Sequence, residues 1–441
     1  MFFRHLFRRH RHRHALAGDG ARERRYRMLY LNHAENKHIR SAKMSDIRAI
    51  PSVPVLSLGT FAGHGATLPA LDDAPAVQPV SSGRIAIGMA LRALGVGPGD
   101  KVLVPAYHSP SMIPPVHWRG AEVVFYRVHP DTTADLDDVA SKLGPGVKAV
   151  MATHFFGFQQ DLRALRALCD AYGAGLVEDC AHCFFGERDG VAVGSSGDYA
   201  IGSSMKFFPI FEGGCLVSHR HPLPDTLTGA GAGFEAKAAL AALENSFGHG
   251  RLPALRAAMA LPLRLKTALW NRVKARGAGP DASTAPALAP SSSDSSFAFD
   301  PHWLDRRSSW FSRGVLRRAG RARLVESRRR HYLELERALA GAPGWQALFE
   351  ALPDGACPWV FPLLADHPDA LFERLRAAGV PMVRFGASLW PGVDAGVCAN
   401  SVALGRRLFG LPVHQELRAP ERAWLAATVR RALEETAGTA P

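Results

Sequence analysis

The sequence predicts an α/β fold: a large doubly wound domain on a parallel or mixed sheet, followed by a smaller C-terminal α+β domain. Three observations carry the prediction. Short apolar runs alternate with helical patterns from about residue 80 to 220, the signature of strand–helix–strand winding. A low-complexity stretch, GAGPDASTAPALAPSSSDSS (277–296), then separates this region from a differently patterned C-terminal part. Finally, 441 residues with 47 % hydrophobic and 21 % charged content can bury a large core.

Taken in order, VLVP (102–105), EVVFY (122–126), KAVMAT (148–153), GLVED (175–179), DYAIG (198–202) and GCLVS (214–218) read as strands. IAIGMALRALGV (85–96) and LRALRALCDAYG (162–173) read as amphipathic helices between them. Residues 236–275 are Ala/Leu-rich, basic and helical in pattern. Residues 303–341 look helical again, and their many arginines read as a solvated face. WVFPLLA (359–365) and VPMVRF (380–385) read as strands of the small domain, closed by the helix RAWLAATVRRALEE (422–435). The organisation expected is a basic arm at 1–45, a large domain at 46–275, a linker or loop at 276–300, and a helical connection with the small domain at 301–441.

The net charge of +13 suggests a polyanion binder until its distribution is read. Residues 1–43 hold twelve Arg/Lys against three Asp/Glu, a net of +9. The basicity is mostly that arm, which reads as a disordered tail or as sequence upstream of an enzyme start at Met44. Contact with nucleic acid or another polyanion through it is not expected. No apolar run reaches eighteen residues, so a soluble, cytoplasmic protein without a membrane partner is expected. Six cysteines are too few for a disulfide scaffold in a chain of this length. Cys180 and Cys183 form a lone CxxC, but zinc needs two further ligands and no second cluster has suitable spacing, so no metal is expected.

Four segments collect the chemistry. SSGR (81–84) opens a helix, where free N–H groups and the dipole suit a phosphate, although Ser82 also suits a plain N-cap. PAYHSPS (105–111) sets Tyr107 and His108 at a strand's carboxyl end, fit to stack a planar ring or simply to pack. VEDCAHC (177–183) ends an apolar strand with Asp179, a costly place for a carboxylate unless it pairs with a cation such as a protonated pyridine or caps the next turn. In SSMKFFPIFEGG (203–214), Lys206 lies among Met205, Phe207 and Phe208. An apolar setting lowers a lysine's pKa and frees its amine for nucleophilic work, the alternative being a lysine snorkelling at a sheet edge. In this order the segments describe a pyridoxal phosphate site.

The run from about 80 to 220 resembles the DegT/DnrJ/EryC1/StrS family of aminotransferases. SGRIAIGMALRALGVGPGDKVLVPAYHSPS resembles the family's phosphate loop, helix and following strand, and ATHFFGFQQDL (152–162) its His-x-x-Gly segment. VEDCAHCFFG resembles its Glu-Asp-x-Ala element, VGSSGDYAIGSSMKFFPIFEGG its lysine segment, and SVALGRRLFGLPVHQEL (401–417) its closing segment. The resemblance implies the fold type I architecture of pyridoxal 5'-phosphate-dependent transferases, with Lys206 as the catalytic lysine that bonds to the cofactor and moves the proton. It implies Asp179 at the pyridine nitrogen, Gly83, Arg84 and Ser203 at the phosphate, and His182 where the family usually has Gln. Tyr107 and His108 are expected beside the ring. It further implies a homodimer that passes an amino group from a donor such as glutamate to a nucleotide-linked keto sugar or related carbonyl compound, in polysaccharide or secondary-metabolite synthesis. Two alternatives stand beside this: a pyridoxal phosphate-dependent dehydratase, which in this family carries His in place of the lysine, and a non-catalytic polyanion binder on the same scaffold. The chain departs from the common pattern at Arg84, where members often have Thr, and at Ser109, where many have a stacking aromatic. The Asn-Tyr-Arg-Met loop of many members is not visible. The lysine segment follows a Ser-x-x-Lys-x-x-Pro subset.

Overall fold

The computed structural model describes residues 50–223, 226–260, 297 and 299–438. The proposed arm at 1–45 and nearly all of the linker at 276–300 lie outside the described residues. Twelve strands are present among the described residues. A seven-stranded sheet is built from β1 (Ala76–Val80), β2 (Lys101–Pro105), β3 (Glu122–Tyr126), β4 (Val147–Thr153), β5 (Gly175–Asp179), β8 (Tyr199–Gly202) and β9 (Gly214–Ser218). A two-stranded ribbon is formed by β6 (Glu187–Arg188) and β7 (Val191–Ala192), and a three-stranded antiparallel sheet by β10 (Trp345–Ala347), β11 (Val360–Ala365) and β12 (Leu408–Pro412).

The large sheet runs β1-β9-β8-β5-β4-β2-β3. Its centre is parallel, from β8 through β5, β4 and β2 to β3, and β9 and β1 add antiparallel edges. The central strands are apolar along their length because both faces are covered by helices and loops. Every predicted strand from 102 to 218 forms within a residue of its expected bounds. β1 escaped the sequence pattern because Pro79 lies within it. An edge strand tolerates a proline, which needs no ladder hydrogen bond on its open side, and the Pro79 carbonyl instead accepts from the Ser308 backbone N–H at 3.1 Å.

Two expectations in the C-terminal part need correction. VPMVRF does not form a strand: only Val383 bridges, to Gly410. The chain turns at Gly386, with φ of +75°, and the Phe385 carbonyl is taken by the Tyr107 hydroxyl at 3.0 Å. The arginine-rich stretch is helical, at Trp310–Arg318 and Arg321–Leu339, but it is not a uniformly solvated face. Arg328 is fully buried, while Arg321 pairs with Asp72 at 2.7 Å and Arg323 with Glu416 at 3.0 Å. The two larger sheets share one core, which joins Leu103, Tyr126 and Val150 to Phe361, Phe409 and Leu411. Among the described residues no helix is long and apolar enough to cross a membrane.

Candidate active site at the carboxyl ends of the parallel strands

Parallel strands present their carboxyl ends to one side, and β5 and β8 are neighbours there. β5 ends in Asp179. β8 ends at Gly202, and the chain continues as Ser203 and a single 3-10 turn, Ser204–Lys206. The helix Gly83–Ala93 begins against the same corner: a Cβ on Gly83 would stand 3.3 Å from the Gly202 carbonyl and 3.6 Å from the Ser203 Cβ. Ser82 caps this helix, its hydroxyl accepting from the Ile85 N–H at 3.3 Å. Ser82→Ala is therefore expected to cost about 1 kcal/mol, read as a lowered denaturant midpoint with an unchanged m-value.

The Glu-Gly-Gly of the lysine segment has a packing reason. The ideal Cβ of any side chain at Gly214 would lie 2.4 Å from the Ser82 carbonyl carbon and 2.6 Å from the Gly83 nitrogen. Gly213 has φ of +145° and its N–H donates to the Ser81 carbonyl at 2.9 Å. The two glycines let the returning strand press against the helix start. Glu212 is buried, and its carboxylate accepts from the Ser309 N–H at 3.0 Å and the Ser309 hydroxyl at 2.8 Å. The lysine turn is thus anchored to the helix Trp310–Arg318.

Asp179 is 4 % exposed. Burial pushes its carboxyl above the usual range, opposed by the Ala181 N–H, which donates at 2.9 Å, and by the charge of Lys206. Lys206 is partly buried, and desolvation pulls its ammonium down to about 8 against the attraction of Asp179. Its Nζ lies 4.7 Å from the centre of the Trp359 ring. Trp359 stacks on His182 at 4.0 Å between centroids, and His182 stacks on Phe156 at 5.6 Å. Burial first, and the Lys206 charge second, hold the His182 imidazole well below its ordinary range, so it is neutral. Phe156 adopts φ of +60°, a costly conformation for an aromatic residue, and its carbonyl accepts from the Trp359 N–H at 2.8 Å. Gly157 follows with φ of +101°, and a Cβ there would lie 2.2 Å from the Cys357 carbonyl oxygen.

The structure brings Gly83, Ser203, Asp179, His182 and Lys206 to one corner. Arg84 follows Gly83 in the first turn of the same helix. Tyr107 and His108 stand at the carboxyl end of β2, but their polar atoms serve the chain itself. The Trp390 N–H donates to His108 Nε2 at 3.1 Å, which leaves Nδ1–H to donate to the Ala106 carbonyl at 2.9 Å. Tyr107 donates to Phe385 as described above. The pair brace the 385–390 segment against β2. Trp359 and Arg328 are the site residues that sequence reasoning missed.

Both CxxC cysteines, Cys180 and Cys183, are buried free thiols. His154, Glu178 and Cys180 bring ligand-type atoms within 4.8 Å of one another, yet hydrogen bonds already occupy the first two. The Gln160 N–H donates to His154 Nδ1 at 3.1 Å, so His154 Nε2–H donates to Glu178 at 2.9 Å. The Glu178 carboxylate also accepts the Gly197 and Gly194 N–H groups.

A lysine and a buried carboxylate at adjacent strand ends, facing a glycine-opened helix start, sit here on the architecture of the fold type I transferases. The chain is similar in fold to the crystal structure of an aminotransferase from Streptoalloteichus hindustanus, with a TM-score of 0.55 over 82 % of this chain and 87 % of that one at 23 % identity. Residues 71–267, which take in every strand of the large sheet, match the DegT/DnrJ/EryC1/StrS aminotransferase family. Among its relatives are the GDP-perosamine synthase of Vibrio cholerae, 36 % identical over 143 residues, and the L-glutamine:2-deoxy-scyllo-inosose aminotransferase of Streptomyces kanamyceticus, 34 % identical over 145 residues. Each match covers 32 % of this chain, and spans 39 % and 34 % of the respective relative.

Proposed function

We propose that the protein is a pyridoxal 5'-phosphate-dependent aminotransferase that moves an amino group from an amino acid, glutamate in the first instance, to a keto sugar or a related cyclic ketone. The observation that carries this reading is the Lys206–Asp179 pair, a desolvated amine and a buried carboxylate that feel each other's charge. The names of the relatives support the acceptor class, since they include both a nucleotide-sugar enzyme and an inosose aminotransferase. By the same family argument we place the protein in the cytoplasm as a homodimer.

The residues fit the cofactor. Ser81 Oγ and His182 Nδ1 are buried and have no hydrogen-bond partner among the described residues, as is expected of groups kept for a ligand. The Gly83 helix start, with Ser203 and Arg84, would hold the phosphate on N–H donors and the positive end of the helix dipole. Asp179 would hold the protonated pyridine nitrogen, which supplies the counter-charge that a buried carboxylate needs. When bound, the cofactor supplies an electron sink for the carbon that loses its proton. Lys206 moves that proton: its amine, brought down to about 8 by desolvation, is partly neutral near pH 7–8 and so acts both as base and, once protonated, as acid. His182 stays neutral beside it and donates or accepts one hydrogen bond without adding charge. The dehydratase alternative requires His at the lysine position, where this chain has Lys206.

The test is the visible spectrum of purified protein with added pyridoxal 5'-phosphate. A band that glutamate bleaches and that the keto acid product restores is the expected result. A band indifferent to every amino acid donor would sink the transamination reading. Capture of the cofactor at Lys206 is expected to accelerate with rising pH and to level off above about 8, whereas an ordinary surface lysine would keep rising to about 10.4. The sign follows from the neutral amine being the reactive form. Stopped-flow mixing across that range checks it.

A further inference from the structure

Arg328 carries a charge that the proposed chemistry does not use. It is fully buried in the helix Arg321–Leu339, where burial depresses its guanidinium to about 10. No carboxylate hydrogen-bonds to it among the described residues. Its donors go instead to chain oxygens. Nη2 reaches the Lys206 carbonyl at 3.0 Å and the Phe207 carbonyl at 3.4 Å. Nη1 reaches the Pro358 carbonyl at 3.1 Å and the Trp359 carbonyl at 3.2 Å. Nε donates to the Gln415 side chain at 3.0 Å, and the Gln415 amide donates to the Phe207 carbonyl at 2.8 Å. The guanidinium also lies over the Phe207 ring, 4.6 Å from its centre. Burying an arginine without an anion is costly, and here the planar fork joins two segments that no strand ladder joins. One carries the lysine. The other carries the tryptophan whose ring faces that lysine.

We propose that Arg328 is a positioning residue that clamps the Lys206 turn to the Pro358–Trp359 segment, and that it thereby fixes the Lys206 amine on the face of the Trp359 indole. The proposal rests on Lys206 being the reacting amine of the function proposed above. The Trp359 backbone is held from both sides, its N–H by the Phe156 carbonyl and its carbonyl by Arg328, and its ring stacks on His182 at 4.0 Å between centroids, so the ring has little freedom to leave the amine. The clamp needs the five-donor fork. A lysine at 328 keeps the charge but reaches fewer of the carbonyls.

The test reads the amine itself in the full-length protein without cofactor. The chain has nine lysines, and reductive methylation with carbon-13 formaldehyde gives each a separate N-methyl resonance. The Lys206 peak is the one absent from Lys206→Ala. It is expected upfield of the others, because its amine lies above an indole face, and Trp359→Leu should remove that displacement. With the clamp, Arg328→Lys moves the Lys206 peak to the ordinary lysine position while the protein still melts cooperatively; the tenth peak, from the new lysine, is the added one that persists when Lys206→Ala is combined with it. Glutamate turnover of the holoenzyme then falls about 100-fold, the scale for misplacing a catalytic group by an ångström. Gln415→Ala, which removes one partner of the fork, moves the peak in the same direction and decides the matter if Arg328→Lys does not fold. Rescue by Arg328→Lys, with the peak and turnover of the wild type, would show that only the charge matters and overturn the proposal. An unmoved peak in folded Gln415→Ala would do so where Arg328→Lys gives no folded protein. A Lys206 peak that behaves as expected in a protein without transaminase activity would leave the clamp standing and remove the functional reading instead.

Discussion

Lys206→Ala is expected to abolish both the visible band of the protein with pyridoxal 5'-phosphate and at least about 1,000-fold of its transamination rate, the upper part of the range for a positioned acid–base group. The reason is local. Lys206 is the single amine at the carboxyl ends of β5 and β8 among the described residues, and it is the one the fold desolvates. The rest of the corner survives the substitution, since the lysine's backbone bonds do not depend on its side chain. The Lys206 carbonyl still accepts from Arg328, and its N–H still donates to the Ser203 carbonyl at 3.1 Å. The variant should therefore fold, with a thermal midpoint close to that of the wild type, and should still take up pyridoxamine phosphate, which needs no amine. A variant that kept its band would place the reacting amine elsewhere in the chain.

Gly214→Ala should have a large structural effect for a single added methyl group. Its Cβ would meet three backbone atoms, at 2.4 Å from Ser82, 2.6 Å from Gly83 and 2.7 Å from Gly202. None of these is the movable end of a side chain. The methyl must either push β9 away from the helix start or break the turn after β8. Overpacking of this kind costs about 3 kcal/mol or more, visible as a large fall in the denaturant midpoint. Phosphate affinity should fall with it, because the displaced atoms include the first N–H groups of the helix. The measurement is inorganic phosphate competing with the cofactor in whatever fraction remains folded.

The sequence spelled out the half of the site that is local in the chain. Asp179 closes an apolar run, Lys206 sits in an aromatic hexapeptide, and Gly83 opens a helix. Each of these reads from a few neighbours, because strand ends and helix starts leave composition marks. The other half comes from residues that meet only through tertiary packing. Trp359 read as the first residue of a strand, and nothing near it in sequence points to Lys206. Arg328 was folded into a charged run, although a signal was present. Leu324, Val325, Tyr332, Leu335 and Leu339 form an apolar stripe at helical spacing, and Arg328 falls on it. An arginine on the apolar stripe of an otherwise charged helix is the pattern that identifies it. Tyr107 and His108 were read for their rings, whereas the structure spends their polar atoms on bracing the 385–390 segment.

The stack of Phe156, His182 and Trp359 divides authorship of the candidate site. The floor, with its amine, carboxylate and helix start, is written between residues 81 and 214. The opposite wall is written by the Trp359 segment and held in place from the helix that carries Arg328. The two stretches meet through side chains and a few backbone bonds rather than through a shared ladder. Changes to the wall can therefore alter the surroundings of Lys206 without touching Asp179 or the helix start. On the function proposed above, a change of acceptor is best sought by varying the far side of that stack, with Lys206 and Asp179 left untouched.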